Sequence, residues 1–207
     1  MKNQGYRFTD RITRRHAGWT VLEYYAGCYS QFSQQEWSQR IDDRRIFLND
    51  AVTSAAAVLS TGDVLHYIRE AWEEPDTPQE FDVLAETEQW MAFNKPTGLP
   101  VLPGGGFLEH TMLHIARERF GPGVAPVHRL GRGTTGAILF SRDEASAAFL
   151  AAAMRERRIS KTYLALIEGI PPDDNFTVDV PIGPVPHALL GVVHAANPAG
   201  KPSVSHC

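Results

Sequence analysis

The chain has 207 residues, of which 43% are apolar, with 20 Lys and Arg against 24 Asp and Glu for a formal charge of −4. That composition belongs to a globular chain long enough for one ordinary domain and a small second one, and excludes disordered and fibrous classes. Net acidity argues against a general polyanion binder, although "RITRRH" (11–16) and "RERRISK" (155–161) can still form local basic patches.

The first basic run precedes a small unit. "WTVLEYYAGCY" (19–29) has helix-period apolar positions, and "SQQEWSQRIDDRR" (33–45) predicts a second helix opening on Ser33-x-x-Glu36, a capping signature. "RIFLND" predicts a short strand ending in an Asn49-Asp50 turn, and "TGDVLHYI" another strand after a Gly62-Asp63 turn. The polar, proline-bearing segment 70–82 then predicts a linker.

A different texture follows. "FDVLAETEQWMAFNKPTGLPVLP" (81–103) alternates strand-like runs and breaks at Lys95-Pro96, where Gly98, Pro100 and Pro103 demand a fixed turn. "TMLHIARERF" predicts a helix, "GPGVAP" a loop and "AILFS" a strand. Ser141-x-x-Glu144 predicts the cap of an Ala-rich helix with arginines in its last turn, and "ISKTYLALIEG" (159–169) predicts a further strand.

Several catalytic patterns can be set aside. The glycines from Gly131 to Gly136 match G-x-G-x-x-G, but a loop precedes them and a strand follows, so no helix start faces a dinucleotide there. "PGGGFL" lacks the Lys and Ser/Thr of a phosphate-binding loop, and no G-x-S-x-G is present. His110 and His114 share a helix face with only His128 as a third candidate ligand, so capping or packing explains them better than metal. Cys28 and Cys207 suggest neither a disulfide framework nor zinc. Apolar runs such as "TYLALI" are too short to cross a bilayer, and the N-terminus lacks a signal-peptide core, so a cytoplasmic location is expected.

Four motifs in order, "NKPTGLPVLP", "PVHRLGRGTTGAILFSR", "RRISKTYLALIEG" and "VDVPIG", resemble the RluA-type RNA pseudouridine synthases, which modify uridines of ribosomal and transfer RNA. The likeness runs from about residue 81 to residue 207. The unit before it resembles the small RNA-binding domain named after a small-subunit ribosomal protein. The resemblance implies an α+β fold with a mixed, largely antiparallel sheet and flanking helices, divided as 1–69, a linker at 70–82, and a catalytic domain at 83–207.

It also implies a mechanism without metal or organic cofactor. A uridine is flipped into a cleft beside the His-Arg-Leu loop, an aspartate after the leucine acts at the ribose, and the uracil rejoins through carbon. In this sequence the aspartate position is Gly131, which has no side chain to attack or take a proton. Asp143 is the nearest following acid, and a place at the start of a helix accounts for it. By the same resemblance Arg129 fills the gap left by the flipped base, Tyr163 stacks on the uracil, and Lys95-Pro96 shapes the entry to the site. His128, Arg132, Lys161 and Lys95 complete the expected RNA-binding set with Arg129. The family carries later strands and a basic motif, so the chain reads as C-terminally incomplete; a monomer without dinucleotide or membrane partner is expected. A non-catalytic RNA-binding relative and, more weakly, a protein-binding remnant are the alternatives.

Overall fold

The computed structural model describes residues 2–171, 173–188 and 191–207. Packing divides the chain into two compact units, Met1–Ile159 and Ser160–Cys207. The first unit contains two separate hydrophobic cores.

The first core is built on β1 (Tyr6–Arg11), α1 (Val21–Cys28), α2 (Gln34–Asp42), β2 (Ile46–Leu48), β3 (Ala51–Val52) and β4 (Val64–Arg69). The Ser33/Glu36 signature forms a complete capping box, and α1 has a second one from Thr20 and Glu23. Asn49 and Asp50 take positive φ, 50° and 65°, which is the backbone a two-residue hairpin between β2 and β3 requires. The antiparallel order is β1-β4-β2-β3, with Trp37, Tyr25, Ile41 and Leu65 buried between helices and sheet.

β1 is not predicted from the sequence. As an edge strand it pairs with β4, five of its six residues are exposed, and its apolar alternation stops at Asp10 after only Tyr6 and Phe8, too short to announce a strand.

The second core lies under β5 (Asp82–Glu86), β6 (Trp90–Lys95), α3 (Met112–Phe120), β7 (Ala125–Pro126), β8 (Gly136–Ser141) and α4 (Glu144–Arg155), in the strand order β5-β6-β8-β7. Met91 and Phe93 of β6 and Ile138 and Phe140 of β8 alternate inward and pack on Met112, Ile115 and Ala116 of α3. The cap of α4 differs from the prediction. Asp143, not Ser141, caps it, accepting from the Ser146 N–H at 2.7 Å. Ser141 is held in the sheet by pairing with Trp90 and Ala125, so the helix cannot start there.

Residues 70–82 connect the cores as more than a tether. The Glu74 carboxylate, 4% exposed, accepts from the backbone N–H groups of Leu108, Glu109 and His110 and from Asn3 Nδ2, at 2.7–3.0 Å. Burial opposes its charge, but these donors outweigh it and hold the pKa down at about 2. Beside it Trp72 Nε1 donates to Gly106 O at 2.7 Å.

The second unit consists of two antiparallel pairs, β9 (Thr177–Asp179) with β12 (Val204–His206), and β10 (Ile182–His187) with β11 (Gly191–Ala196). The strand predicted at 159–169 does not form: no described strand pairs with that backbone, and Leu164 and Leu166 are fully exposed. Every named strand pair of the chain is antiparallel, within an α+β architecture.

Candidate functional site

The chain leaves β7 at Pro126 and must return as β8 at Gly136, and the glycine-rich loop between these points sits on a support supplied by the end of β6. Lys95 closes β6 with its side chain wholly enclosed, its Nζ donating to Pro96 O at 2.8 Å, Arg132 O at 3.0 Å and Thr134 O at 2.8 Å. Gly98 N–H donates to Arg132 O at 2.8 Å, and Thr97 Oγ1 to Gly133 O at 3.2 Å. Gly98 sits at φ 84°, a conformation that favours glycine and lets the turn bring its N–H under the loop. Within the loop, Thr134 N–H closes a turn on Gly131 O at 3.0 Å.

This arrangement corrects one expected role. Lys95 does not offer its charge to RNA, because three carbonyls saturate its ammonium inside the protein. Burial pushes its pKa down, and the carbonyl cage keeps the polar head partnered. It supports the loop from below. Thr97 and Thr134, which complete the support with Gly98, were not singled out by sequence, which marked only the fixed turn around Gly98 and its prolines.

The supported loop forms one wall of a cleft of about 530 Å³, from Arg129 to Arg132, and Pro100 to Pro103 form the other. Among the described residues no carboxylate lines it, and the guanidinium groups of Arg129 and Arg132 make it a cationic place. Arg132 also lies 5.7 Å from the centre of the Phe107 ring, at the outer limit of a cation–π contact. Gly131 is exposed on this wall and its φ is not in the left-handed region. A Cβ there would meet only Thr134 Oγ1, at 3.3 Å, which a small rotation of that hydroxyl relieves.

The ring of His128 is half-buried, with Nε2 accepting from the Leu139 N–H at 3.3 Å, so one nitrogen is engaged on β8. Lys161 and Tyr163 belong to the second unit, both exposed, Tyr163 at 60%. Asp143 is committed to capping α4, and its bonds to Ser146 lower its pKa. His110 Nδ1 is 2.8 Å from Pro75 O, and among the described residues no group of three or more His, Cys, Asp or Glu could hold a metal ion. Among the described residues, too, no helix is long and apolar enough to cross a membrane.

A loop pinned from beneath by the Lys95-Pro96 turn, and forming one wall of a cationic cleft, agrees with the motifs of the sequence. The sequence pattern of the RNA pseudouridylate synthase family matches residues 89–207, and the chain belongs to that family. It is 34% identical over 187 residues to an uncharacterized RNA pseudouridine synthase of Synechocystis sp., an alignment covering 90% of this chain and 64% of that protein. It is 35% identical over 236 residues to RNA pseudouridine synthase 5 of Arabidopsis thaliana, covering 98% of this chain and 64% of the relative. Identity to ribosomal large subunit pseudouridine synthase D of Vibrio vulnificus is 27%, covering 98% and 64%. The chain thus spans a little under two thirds of the length of these relatives. The solved structure of human RNA pseudouridylate synthase domain containing 1 superposes with a TM-score of 0.49 at 24% identity, over 65% of this chain and 54% of that one.

Proposed function

We propose that this chain is built to bind ribosomal or transfer RNA and to receive a uridine in the cleft between Pro100–Pro103 and Arg129–Arg132. The observation that carries the reading is the loop at 129–134, fixed from beneath by Lys95, Thr97 and Gly98 while its outer side faces solvent. Preorganised backbone of this kind suits a site that must hold a ribose against one side chain with little freedom. In this reading Arg129 occupies the gap left in the RNA, Arg132 meets phosphate, and Tyr163 stacks on the displaced uracil.

Isomerisation breaks the N1–C1′ bond and forms a C5–C1′ bond, with the proton lost from C5 to solvent balanced by one taken up at N1. A carboxylate at position 131 would act on the sugar, and glycine supplies none. The second reading, an RNA-binding relative without catalysis, is favoured by this one residue. Tritium release from RNA carrying [5-³H]uridine separates the two. A form with glycine at 131 is expected to bind RNA with steep salt dependence and to release no tritium. Release by the glycine form would overturn the role given to this position.

A further inference from the structure

A second cavity lies far from the Arg129–Arg132 loop in sequence, in the part of the first unit built on β1 and β4. Its volume is about 460 Å³, and its walls are aromatic: Phe8, Tyr25, Tyr29, Phe32, Trp37 and Tyr67. Its two charged lining groups are Asp10 and Arg69, and Gly105 and Gly106 complete the rim without side chains. Nothing in the uridine-isomerising chemistry uses it.

The aromatic lining continues outward. Tyr6, Phe8 and Asp10 alternate on β1 and so share one face of the strand, opposite Arg69, Tyr67 and Leu65 of β4. Tyr6 and Phe8 are 48% and 42% exposed, with ring centres 4.7 Å apart and edge to face. Phe8 in turn stacks on Tyr67, 5.7 Å between centres and 14° from parallel. Tyr67 is 6% exposed and Trp37 1%, so a ladder of rings runs from solvent into a rigid interior. Exposed aromatic rings side by side are costly to leave in water unless something covers them.

We propose that this pocket holds an unstacked base of a single-stranded RNA segment, apart from the uridine cleft and outside the substrate's reacting nucleotide. Three observations select this occupant. The rings offer π-faces, and base–aromatic stacking is tolerant of sequence. Arg69 at the wall, with Arg40 3.8 Å over the Phe32 ring, favours an anionic chain and disfavours a quaternary ammonium guest, the other usual tenant of an aromatic cage. Asp10, one oxygen of which takes the Tyr29 hydroxyl at 2.6 Å, supplies a carboxylate for the amino edge of a base. Arg14 and Arg15, exposed four and five residues after Asp10, place cations within the same stretch of chain for phosphates next to the held base, whereas Arg11 alternates onto the other face of β1.

The proposal rests on the RNA-binding part of the function above, and its test avoids the uridine cleft. The 207-residue chain is titrated into a short fluorescent oligocytidylate, which presents no uridine, and into a matched oligomer of abasic sugars. The base-bearing strand is expected to bind more tightly. Phe8→Leu, which keeps an apolar side chain on a half-exposed strand, should weaken it by about 5- to 150-fold with the salt slope unchanged, while Phe8→Tyr retains most of the affinity. Circular dichroism and the thermal midpoint of Phe8→Leu check that the fold survives; should it not, Tyr6→Leu, on the outermost ring, repeats the comparison. Equal binding of the base-bearing and abasic strands would overturn the pocket while leaving salt-sensitive RNA binding, and hence the function above, intact. Self-association abolished by Phe8→Leu would also overturn it, assigning the rings to a second copy of the chain. Failure of the base-bearing strand to bind overturns it too, and tritium release, read separately, decides the fate of the uridine site.

Discussion

Replacing the Glu74 carboxylate by an amide tests how the two cores of the first unit are joined. In the folded chain this carboxylate accepts three backbone N–H groups, from Leu108, Glu109 and His110, and the Asn3 amide. Its pKa falls from an ordinary value near 4.5 to about 2. At roughly 1.4 kcal/mol per pH unit this corresponds to about 3 kcal/mol of stability at neutral pH. Glu74→Gln keeps the shape but turns an NH₂ toward N–H groups that need an acceptor, so a loss of similar size, about 3 kcal/mol, is expected.

The sign follows from the depressed value. The contribution is fully present above pH 4.5, where the unfolded chain is also ionised, and is lost as pH falls toward about 2. Urea unfolding followed by tryptophan fluorescence should therefore show a large gap between the native chain and Glu74→Gln at pH 7. The gap should narrow between pH 4.5 and pH 2 as the native carboxyl takes up its proton. A gap below about 0.5 kcal/mol at pH 7, within the range of an ordinary surface change, would refute the reasoning, as would one independent of pH.

Other perturbations follow from the same geometry. Lys95→Met removes a donor to three carbonyls and should lower stability by about 1–3 kcal/mol, with RNA affinity falling too, measured by urea unfolding and filter binding. Tyr163→Ala should weaken binding to a uridine-containing loop by about 1–3 kcal/mol and Tyr163→Phe by little; equal losses would point to the hydroxyl instead. Neutralising Arg11, Arg14 and Arg15, or Arg155, Arg157, Arg158 and Lys161, should flatten the salt dependence of RNA binding by roughly one unit of slope for each phosphate no longer paired with a cation. Unchanged affinity and slope would exclude both runs from the interface.

Features whose cause is local could be read from the residues themselves. The Ser33-Glu36 box, the Asn49-Asp50 turn and the strand-like run that breaks at Lys95-Pro96 depend on neighbours a few positions away, and each forms as predicted. The misses depend on distant partners. "KTYLAL" has strand composition, but a strand needs a neighbour and none of the described strands pairs with it. Ser141 has the spacing of a cap, but pairing with Trp90 keeps it in β8. Lys95 resembles an RNA contact in one dimension, and only the return of the chain at 132–134 shows that its ammonium is enclosed. The aromatic pocket was equally hidden, since its walls come from β1, both helices and their connection, β4 and Gly105–Gly106, positions spread over nearly a hundred residues.

The same distinction bears on Gly131. The hydrogen bonds that fix its loop run through the carbonyls of Gly131, Arg132, Gly133 and Thr134, and through groups of Lys95, Thr97 and Gly98, none of which requires a side chain at 131. A scaffold that depended on an aspartate would have to rearrange when glycine replaced it; this one keeps its support whatever stands there. The backbone at 131 accommodates an L side chain, with Thr134 Oγ1 at 3.3 Å as the one atom to be displaced. An aspartate introduced there would be exposed beside Arg129 and Arg132, and neighbouring cations favour its ionised form. Gly131→Asp therefore changes the chemistry available to the cleft without altering how the cleft is built. Its unfolding free energy should stay within about 0.5 kcal/mol of the native chain's, as for other exposed substitutions. A large loss would mean that the loop is held by something other than the turn beneath it.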